Sequence, residues 1–260
     1  MTWKGTVGAQ MRIDCRTFQV QKRGARMEEC EDAYAVSHRD VGTHVTSFTC
    51  ALADGASETS FSRLWAELLV RDFVRGQRRS VPGAEALRRL RVDWHERLAT
   101  CPLPWYAEAK RDRGAYATLL GLTLTEADEE GAARWKAAAV GDTCLFLVRR
   151  DDVCARYPVT AAEELERRPM LLSTNEGDEI TAVTGDGRWR TDDAFFLMTD
   201  ALAGWFLRSC DAGERPWRVL QDVGTPDGQE FPGLIQGLRR QGLLRNDDVT
   251  LIHAVVAEGL

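Results

Sequence analysis

Residues 49 to 60 read TCALADGASETS. The apolar run Ala51, Leu52, Ala53 stops on Asp54-Gly55, and small polar residues follow. Beyond them comes FSRLWAELLVRDFV, with its apolar positions at helical spacing. The pattern predicts a buried strand that delivers a carboxylate at its C-terminal end. Gly55 lets the backbone turn there, and a helix starts near Ser57 with Ser57 or Thr59 as its cap. A carboxylate beside a glycine carbonyl at a strand end suits a hard divalent cation. Asp-Gly by itself also spells an ordinary turn, so the rest of the chain has to decide.

Working outward, AYAVSHR and THVTSFTCALAD read as two strands joined around Gly42, a hairpin. The first begins after Glu31-Asp32 and the second ends on Asp54. In an antiparallel pair the start of one strand lies beside the end of the next, so Asp32 and Asp54 are predicted neighbours. Upstream, QMRIDCRTFQVQ alternates apolar and polar positions and reads as a strand. Downstream, residues 57 to 78 and 82 to 112 read as helix, the second broken at CPLP, with Trp65 and Trp94 as core residues.

From Ala115 the texture returns to strands: AYATLLGLTLTEA, ARWKAAAVGD, and TCLFLVRRDDVCARYPV turning at Asp151-Asp152. The acidic loop EADEEGA is a solvated hairpin tip. Asp142 follows Gly141 at a kink between apolar runs. Residues 159 to 192 are irregular and read as a short helix plus a mobile flap, with Gly185-Asp186-Gly187 a turn rather than a phosphate cradle. DAFFLMT is an apolar strand ending on Asp200, and a helix starts at once, repeating the logic of Asp54. Helices follow near 213–222 and 228–241, and the last strand, VTLIHAVV, is preceded by Asn246-Asp247-Asp248. With no repeat and no Gly/Ser/Pro linker, residues 1–260 read as a single domain.

Composition narrows the class. The chain has 260 residues, 44% hydrophobic and 28% charged, with a formal net charge of -6, so bulk charge does not suggest a nucleic-acid surface. The arginines between Arg75 and Arg91 read as a solvated helix face. No apolar run reaches the roughly 18 residues of a membrane span, and MTWKGTVGAQ lacks a signal-peptide core. The expectation is no membrane, no nucleic acid, and a cytoplasmic protein. Seven cysteines without regular spacing read as buried small hydrophobes, not a disulfide framework or zinc site. His38, His44, His95 and His253 form no metal-binding pair and read as surface or strand residues.

The acids therefore carry the chemistry. Asp32, Asp54, Asp142, Asp200 and the pair Asp247/Asp248 all fall at strand ends. Carboxylates gathered at one sheet rim repel unless a cation neutralises them. Oxygen donors without Cys or His favour magnesium or manganese. Two such cations sharing a carboxylate can activate a water and screen a phosphoryl group. No nucleophile elbow and no P-loop competes with that chemistry.

Six segments stand in order: Glu31-Asp32-Ala33, Ala53-Asp54-Gly55, Gly114-Ala115-Tyr116-Ala117-Thr118, Val140-Gly141-Asp142-Thr143, Met198-Thr199-Asp200-Ala201-Leu202, and Asp247-Asp248-Val249-Thr250-Leu251-Ile252. Together they resemble the signature segments of the metal-dependent PPM-type (type 2C) serine/threonine protein phosphatases, over about residues 11–257 and in a divergent bacterial form. The resemblance implies an α+β fold, a four-layer α-β-β-α sandwich of two antiparallel sheets flanked by helices. It implies a dimetal Mn2+ or Mg2+ site, with Asp54 bridging both ions and the Gly55 carbonyl on one. Asp200 and Asp247 would hold the other, Glu31 and Asp32 would act through waters, and Asp142 with Asp200 would form a weaker third site. Asp247 aligns with the family ligand, one residue from the alternative Asp248. The family's phosphate-binding arginine position is Met27 here, leaving Arg26, or Arg23 further upstream, as its substitute. The glycine-rich stretch after Asp-Gly is replaced by Ala56-Ser57-Glu58-Thr59, and Ala201 stands where glycine is usual.

The resulting expectation is a phosphoserine/phosphothreonine protein phosphatase, a monomer acting on a phosphoprotein and connected with a serine/threonine kinase or its targets. The alternative is a weak or inactive member of the same fold that serves as a regulatory binding protein. A third reading is a metal-dependent hydrolase of a small phosphoester.

Overall fold

The computed structural model describes residues 11–41, 44–56, 61–76, 80–100, 113–126, 133–177, 180–225, 228 and 230–258. Strands β1 (Met11–Val20), β2 (Ala33–Val41), β3 (His44–Ala53), β5 (Leu119–Thr125), β6 (Arg134–Val140), β7 (Cys144–Arg149), β8 (Asp152–Tyr157), β10 (Val183–Arg188), β11 (Ala194–Met198) and β12 (Val249–Glu258) form two five-stranded sheets. Their orders are β1-β12-β11-β7-β8 and β10-β6-β5-β3-β2, with antiparallel pairing throughout. A small ribbon pairs β4 (Tyr116–Ala117) with β9 (Leu172–Ser173). Helices α1 (Ser62–Arg75) and α2 (Ala84–Ala99) pack on the second sheet. Helices α3 (Asp200–Asp211), α4 (Pro216–Asp222) and α5 (Phe231–Arg240) pack on the first.

The four layers follow from strands that are apolar on both faces. Successive side chains in a strand point to opposite sides. On β11, Phe195 and Leu197 enter the core between the sheets, whereas Phe196 and Met198 enter the core under α3. On β3, Cys50 and Leu52 face the opposite sheet, whereas Ala51 and Ala53 lie under Trp65, Leu69 and Phe73 of the α1 layer. Three cores between four layers are the necessary outcome. Small alanines on the helix side let bulky α1 side chains approach. Trp65 and Trp94 are fully buried, as expected of core residues.

Five expectations are corrected. Helix α1 begins at Ser62 after Phe61, which adopts a left-handed conformation (φ 66°), and among the described residues no side chain caps it; Ser57 and Thr59 lie outside the described residues, as do Gly42 and the loop EADEEGA beyond Glu126. Residues 183–188, assigned to a flap, instead form β10, an edge strand paired to β6. Gly185-Asp186-Gly187 is therefore strand, not turn. A Cβ on Gly187 would come within 2.7 Å of the Trp135 ring nitrogen, so the glycine is there because an aromatic ring lies flat against the strand. The short helix read in that region is a 3-10 turn, Ala162–Glu166. The β7–β8 turn is Arg150-Asp151, one residue earlier than read, with φ of 51° and 63°. Both central residues are left-handed there, as a two-residue hairpin turn demands. Among the described residues no helix is long and apolar enough to cross a membrane.

Candidate active site

Strand register gathers the acidic segments at one end of the sandwich. Ala33 pairs with Ala53, so Asp32 and Asp54 leave the sheet side by side. Leu119 pairs with Val140, which places Asp142 at the same end. Val20 pairs with Val249, and Met198 with both Leu251 and Cys144, so Asp200 and Asp247-Asp248 complete the rim from the other sheet.

Asp54 is held from the main chain. Its N–H donates to Thr118 Oγ1 at 2.9 Å, and its carbonyl accepts from the Thr118 N–H at 2.8 Å. Thr118 Oγ1 in turn lies 2.6 Å from Thr143 Oγ1. The side chain stands among like charges. Burial first, and then the charges of Asp32, Asp142 and Asp247, hold its carboxyl well above the usual carboxylate range, while Arg245 pulls the other way. Gly55 is buried and bridges Ala117. A Cβ there would meet the Glu31 carbonyl oxygen at 2.7 Å, so only glycine lets the two segments approach so closely.

Asp32 is buried, and its Oδ2 accepts from Thr250 Oγ1 at 2.7 Å and Thr199 Oγ1 at 3.2 Å. Its Oδ1 is buried without a partner. Burial pushes this carboxyl up to about 7, against the pull of the Thr250 hydroxyl and with the Asp248 charge adding to the rise. Asp142 is also buried and raised, chiefly by burial. Glu31 accepts from Lys22 Nζ at 3.1 Å and from Ser62 Oγ at 2.8 Å.

Asp200 opens α3, where the helix N-terminus favours a negative charge. Its Oδ1 is buried without a partner and its Oδ2 is met by the Arg245 guanidinium. Arg245 Nε is 3.4 Å from Asp247 Oδ2. Arg245 thus lies between the two acids as a cation drawn from the chain itself. Asp248 behaves differently. Its Oδ1 accepts the Lys22 N–H at 2.7 Å and its Oδ2 the Glu31 N–H at 2.8 Å, fastening the β1–β2 connection to the start of β12. Both Asp248 oxygens are filled by backbone amides, which leaves Asp247 as the one of the pair turned to the rim.

Arg26 is not brought to the acids by any contact among the described residues. It is exposed beside the 3-10 turn Met27–Glu29 and pairs with Glu29 at 3.6 Å. The residues not anticipated from sequence are the supports: Thr118, Thr143, Thr199 and Thr250 beneath the acids, Lys22 and Ser62 on Glu31, and Arg245 between Asp200 and Asp247. The four threonines belong to the quoted signature segments, which was their only signal. Arg245, at the end of an Arg-rich helix-to-strand connection, carried none.

Among the described residues no group of three or more His, Cys, Asp or Glu side chains is drawn together closely enough to hold an ion as it stands. The donor set nevertheless fits a hard divalent cation. The donors are oxygens, two buried carboxylate oxygens lack partners, and the cluster has already attracted one positive group, Arg245.

The two sheets with helices on both outer faces make a four-layer sandwich whose carboxylate rim lies at one end. The protein phosphatase 2C family model matches residues 22–229, and the chain belongs to that family. None of the curated proteins compared matches it in sequence. Solved structures share the fold. The serine/threonine phosphatase Stp1 from Staphylococcus aureus is 15% identical, with a TM-score of 0.61 over 99% of this chain and 100% of that one. The Mycobacterium tuberculosis phosphatase PstP/Ppp is 17% identical, with a TM-score of 0.54 over 96% and 100%. The phosphatase domain of SpoIIE from Bacillus subtilis is 17% identical, with a TM-score of 0.51 over 97% and 95%.

Proposed function

We propose that this protein is a metal-dependent phosphatase of phosphoserine and phosphothreonine in proteins. The observation that carries the reading is Asp54, set among the charges of Asp32, Asp142 and Asp247 beside two unpartnered carboxylate oxygens. Such a cluster is unfavourable for folding alone and is understandable as a binding site for Mn2+ or Mg2+. In this reading Asp54, the Gly55 carbonyl, Asp200 and Asp247 would hold two ions. Glu31 and Asp32 would act through waters, and Asp142 with Asp200 would serve a third. When bound, the ions lower the pKa of a water and neutralise the phosphoryl oxygens.

The chain's own groups do the positioning. Thr118 and Thr143 hold the Asp54 backbone. Thr199 and Thr250 aim one oxygen of Asp32 inward, leaving the other for a water. Asp248 anchors the Lys22–Glu31 loop, and Ser62 orients Glu31. The reaction forms a bond from water oxygen to phosphorus and breaks the bond from phosphorus to the serine or threonine oxygen, which leaves with a proton. The expected setting is a cytoplasmic monomer whose phosphoprotein substrate is a kinase or a kinase target.

The test is hydrolysis of a phosphothreonine peptide with and without Mn2+ by wild type and Asp54→Asn. Metal-dependent turnover lost in the variant supports the reading. Folded wild type with saturating Mn2+ and no turnover on any phosphopeptide overturns it. That outcome would favour the second reading, a binding protein of the same fold, for which the exposed Arg26 paired to Glu29 is the specific observation.

A further inference from the structure

Beside the acidic rim lies a cavity of the opposite sign. It has a volume of about 630 Å³ and sits between the β1–β2 connection and α5. Lys22, Arg23, Arg239 and Arg240 line it, and among the described residues no Asp or Glu does. In a protein of net charge -6, a pocket whose charged lining is all cationic, with only Lys22 paired to an acid (Glu31), is a local reversal of the surface field.

Arg239 forms its inner wall. Its exposure is 9%, and its Nη1 donates to the Gln21 carbonyl at 3.0 Å while Nη2 donates to the Asp247 carbonyl. Its Nε is buried with no partner. Its hydrogen bonds go to carbonyls, so its charge is offset only by the nearby acids Asp248 and Asp247 and not by a directly paired carboxylate. Arg23 lines the same cavity, and burial and then its charge pull Arg239 below the ordinary arginine range, against the charges of Asp248 and Asp247. Arg23 and Arg240 are exposed, and among the described residues neither side chain has an acidic partner. Like charges converge in this way where an anion is to be bound. Arginine suits a carboxylate in particular, because its planar fork offers paired N–H donors.

The cavity shares a wall with the candidate active site. Arg239 bonds the Asp247 carbonyl, and the Lys22 N–H bonds Asp248. The rim and the cavity therefore adjoin. Val20, Met27 and Pro232 add apolar lining, which suits side-chain stems rather than a bare ion.

We propose that this cavity is a specificity pocket that seats acidic side chains flanking the phosphorylated residue of the substrate. The proposal rests on the phosphatase reading for its context, but its binding step does not require turnover. An acidic flank enters, its carboxylates lie against Arg239, Arg23 and Arg240, and the neighbouring phosphoresidue is directed to the rim.

The experiment has two arms. In the first, fluorescein-labelled peptides carrying three glutamates, or three glutamines, beside an unphosphorylated threonine are titrated by anisotropy with EDTA present. Wild type binds the glutamate peptide about tenfold more tightly than the glutamine peptide. Arg240→Gln, which leaves Arg23 in place, loses most of that preference, whereas the charge-matched control Arg88→Gln on α2 keeps it. Equal binding of both peptides by wild type, or equal loss in the control, overturns the proposal. In the second arm, the matching phosphothreonine peptides are hydrolysed with Mn2+. The pocket variant raises KM about tenfold for the acidic peptide, leaves kcat unchanged, and leaves the glutamine peptide unaffected. A variant that instead lowers kcat on both peptides overturns a specificity role. Absence of turnover in wild type would sink the phosphatase reading alone, since the first arm still decides the pocket.

Discussion

Arg245 is the most informative single residue to change. Its guanidinium spans Asp200 and Asp247, and Asp200 is nearly buried, with one oxygen lacking any partner. Arg245→Gln removes the positive charge and keeps much of the side-chain bulk. At the 3.4 Å separation from Asp247, a unit charge pair is worth about 5 kcal/mol in a medium of dielectric about 20 and about 1 kcal/mol in water. The arginine side chain is 52% exposed, so the lower end applies and the loss is about 1–2 kcal/mol. In EDTA the variant should melt about 2–6 °C lower, given the usual slope for a chain of this length. With Mn2+ the sign reverses. Binding in wild type must displace Arg245 from the two carboxylates, and the variant is relieved of that cost. Calorimetric titration should show Mn2+ binding about 5–30-fold more tightly to Arg245→Gln. Added salt should narrow the difference, because the pair is partly solvated. If the variant melts with wild type in EDTA and binds Mn2+ equally or more weakly, Arg245 is not a stand-in for the cation, and the fit of this rim to a metal loses its main support.

Other outcomes follow from the same geometry. Asp54→Asn removes one charge from a crowded acidic set, so it should melt higher than wild type in EDTA yet lose the rise in Tm that Mn2+ gives wild type; a lower melting point in EDTA would contradict the like-charge account. Asp248→Ala leaves the Lys22 and Glu31 amides without their acceptor and should cost about 2–4 kcal/mol in urea unfolding, whereas Asp248→Asn, which can still accept one of them, should cost less. Burial, and then the Arg16 charge, hold His253 down to about 4 from its ordinary 6.5. The unfolded chain therefore takes up the proton first, and stability falls as pH drops from 6.5 towards 4, by up to about 3 kcal/mol. His253→Gln should flatten that part of the stability profile relative to wild type, and a parallel profile would show that His253 is not buried in its neutral form against Phe196.

How much of this was readable from sequence depends on the range of the interaction. Alternation along QMRIDCRTFQVQ and THVTSFTCALAD, and the apolar DAFFLMT, is a property of neighbouring residues, and these became β1, β3 and β11 nearly as read. Pairing of consecutive strands is nearly as local, so the adjacency of Asp32 and Asp54 could be inferred from two strand ends. The ordered acidic segments added the layer arrangement through family resemblance. Residues 183–188 escaped because an edge strand rich in glycine has no apolar alternation of its own; it is defined by β6 and the Trp135 ring beside it.

The side-chain partners were not legible at all. Asp247 and Asp248 are indistinguishable neighbours in sequence, and only the amides of Lys22 and Glu31, more than 200 residues earlier, occupy one and not the other. That Arg26 stands exposed beside Glu29 was not legible either, and Arg245 and Arg239 gained their positions through Asp200 and the β1–β2 connection. The sequence by itself determined the apolar strands, which faces they bury and which of their ends carry acid, because those follow from local periodicity; the glycine-rich edge strand β10 did not. Tertiary structure decided which carboxylates are neutralised, which stay open and where the positive charge collects, because charges act across space between segments that the chain separates.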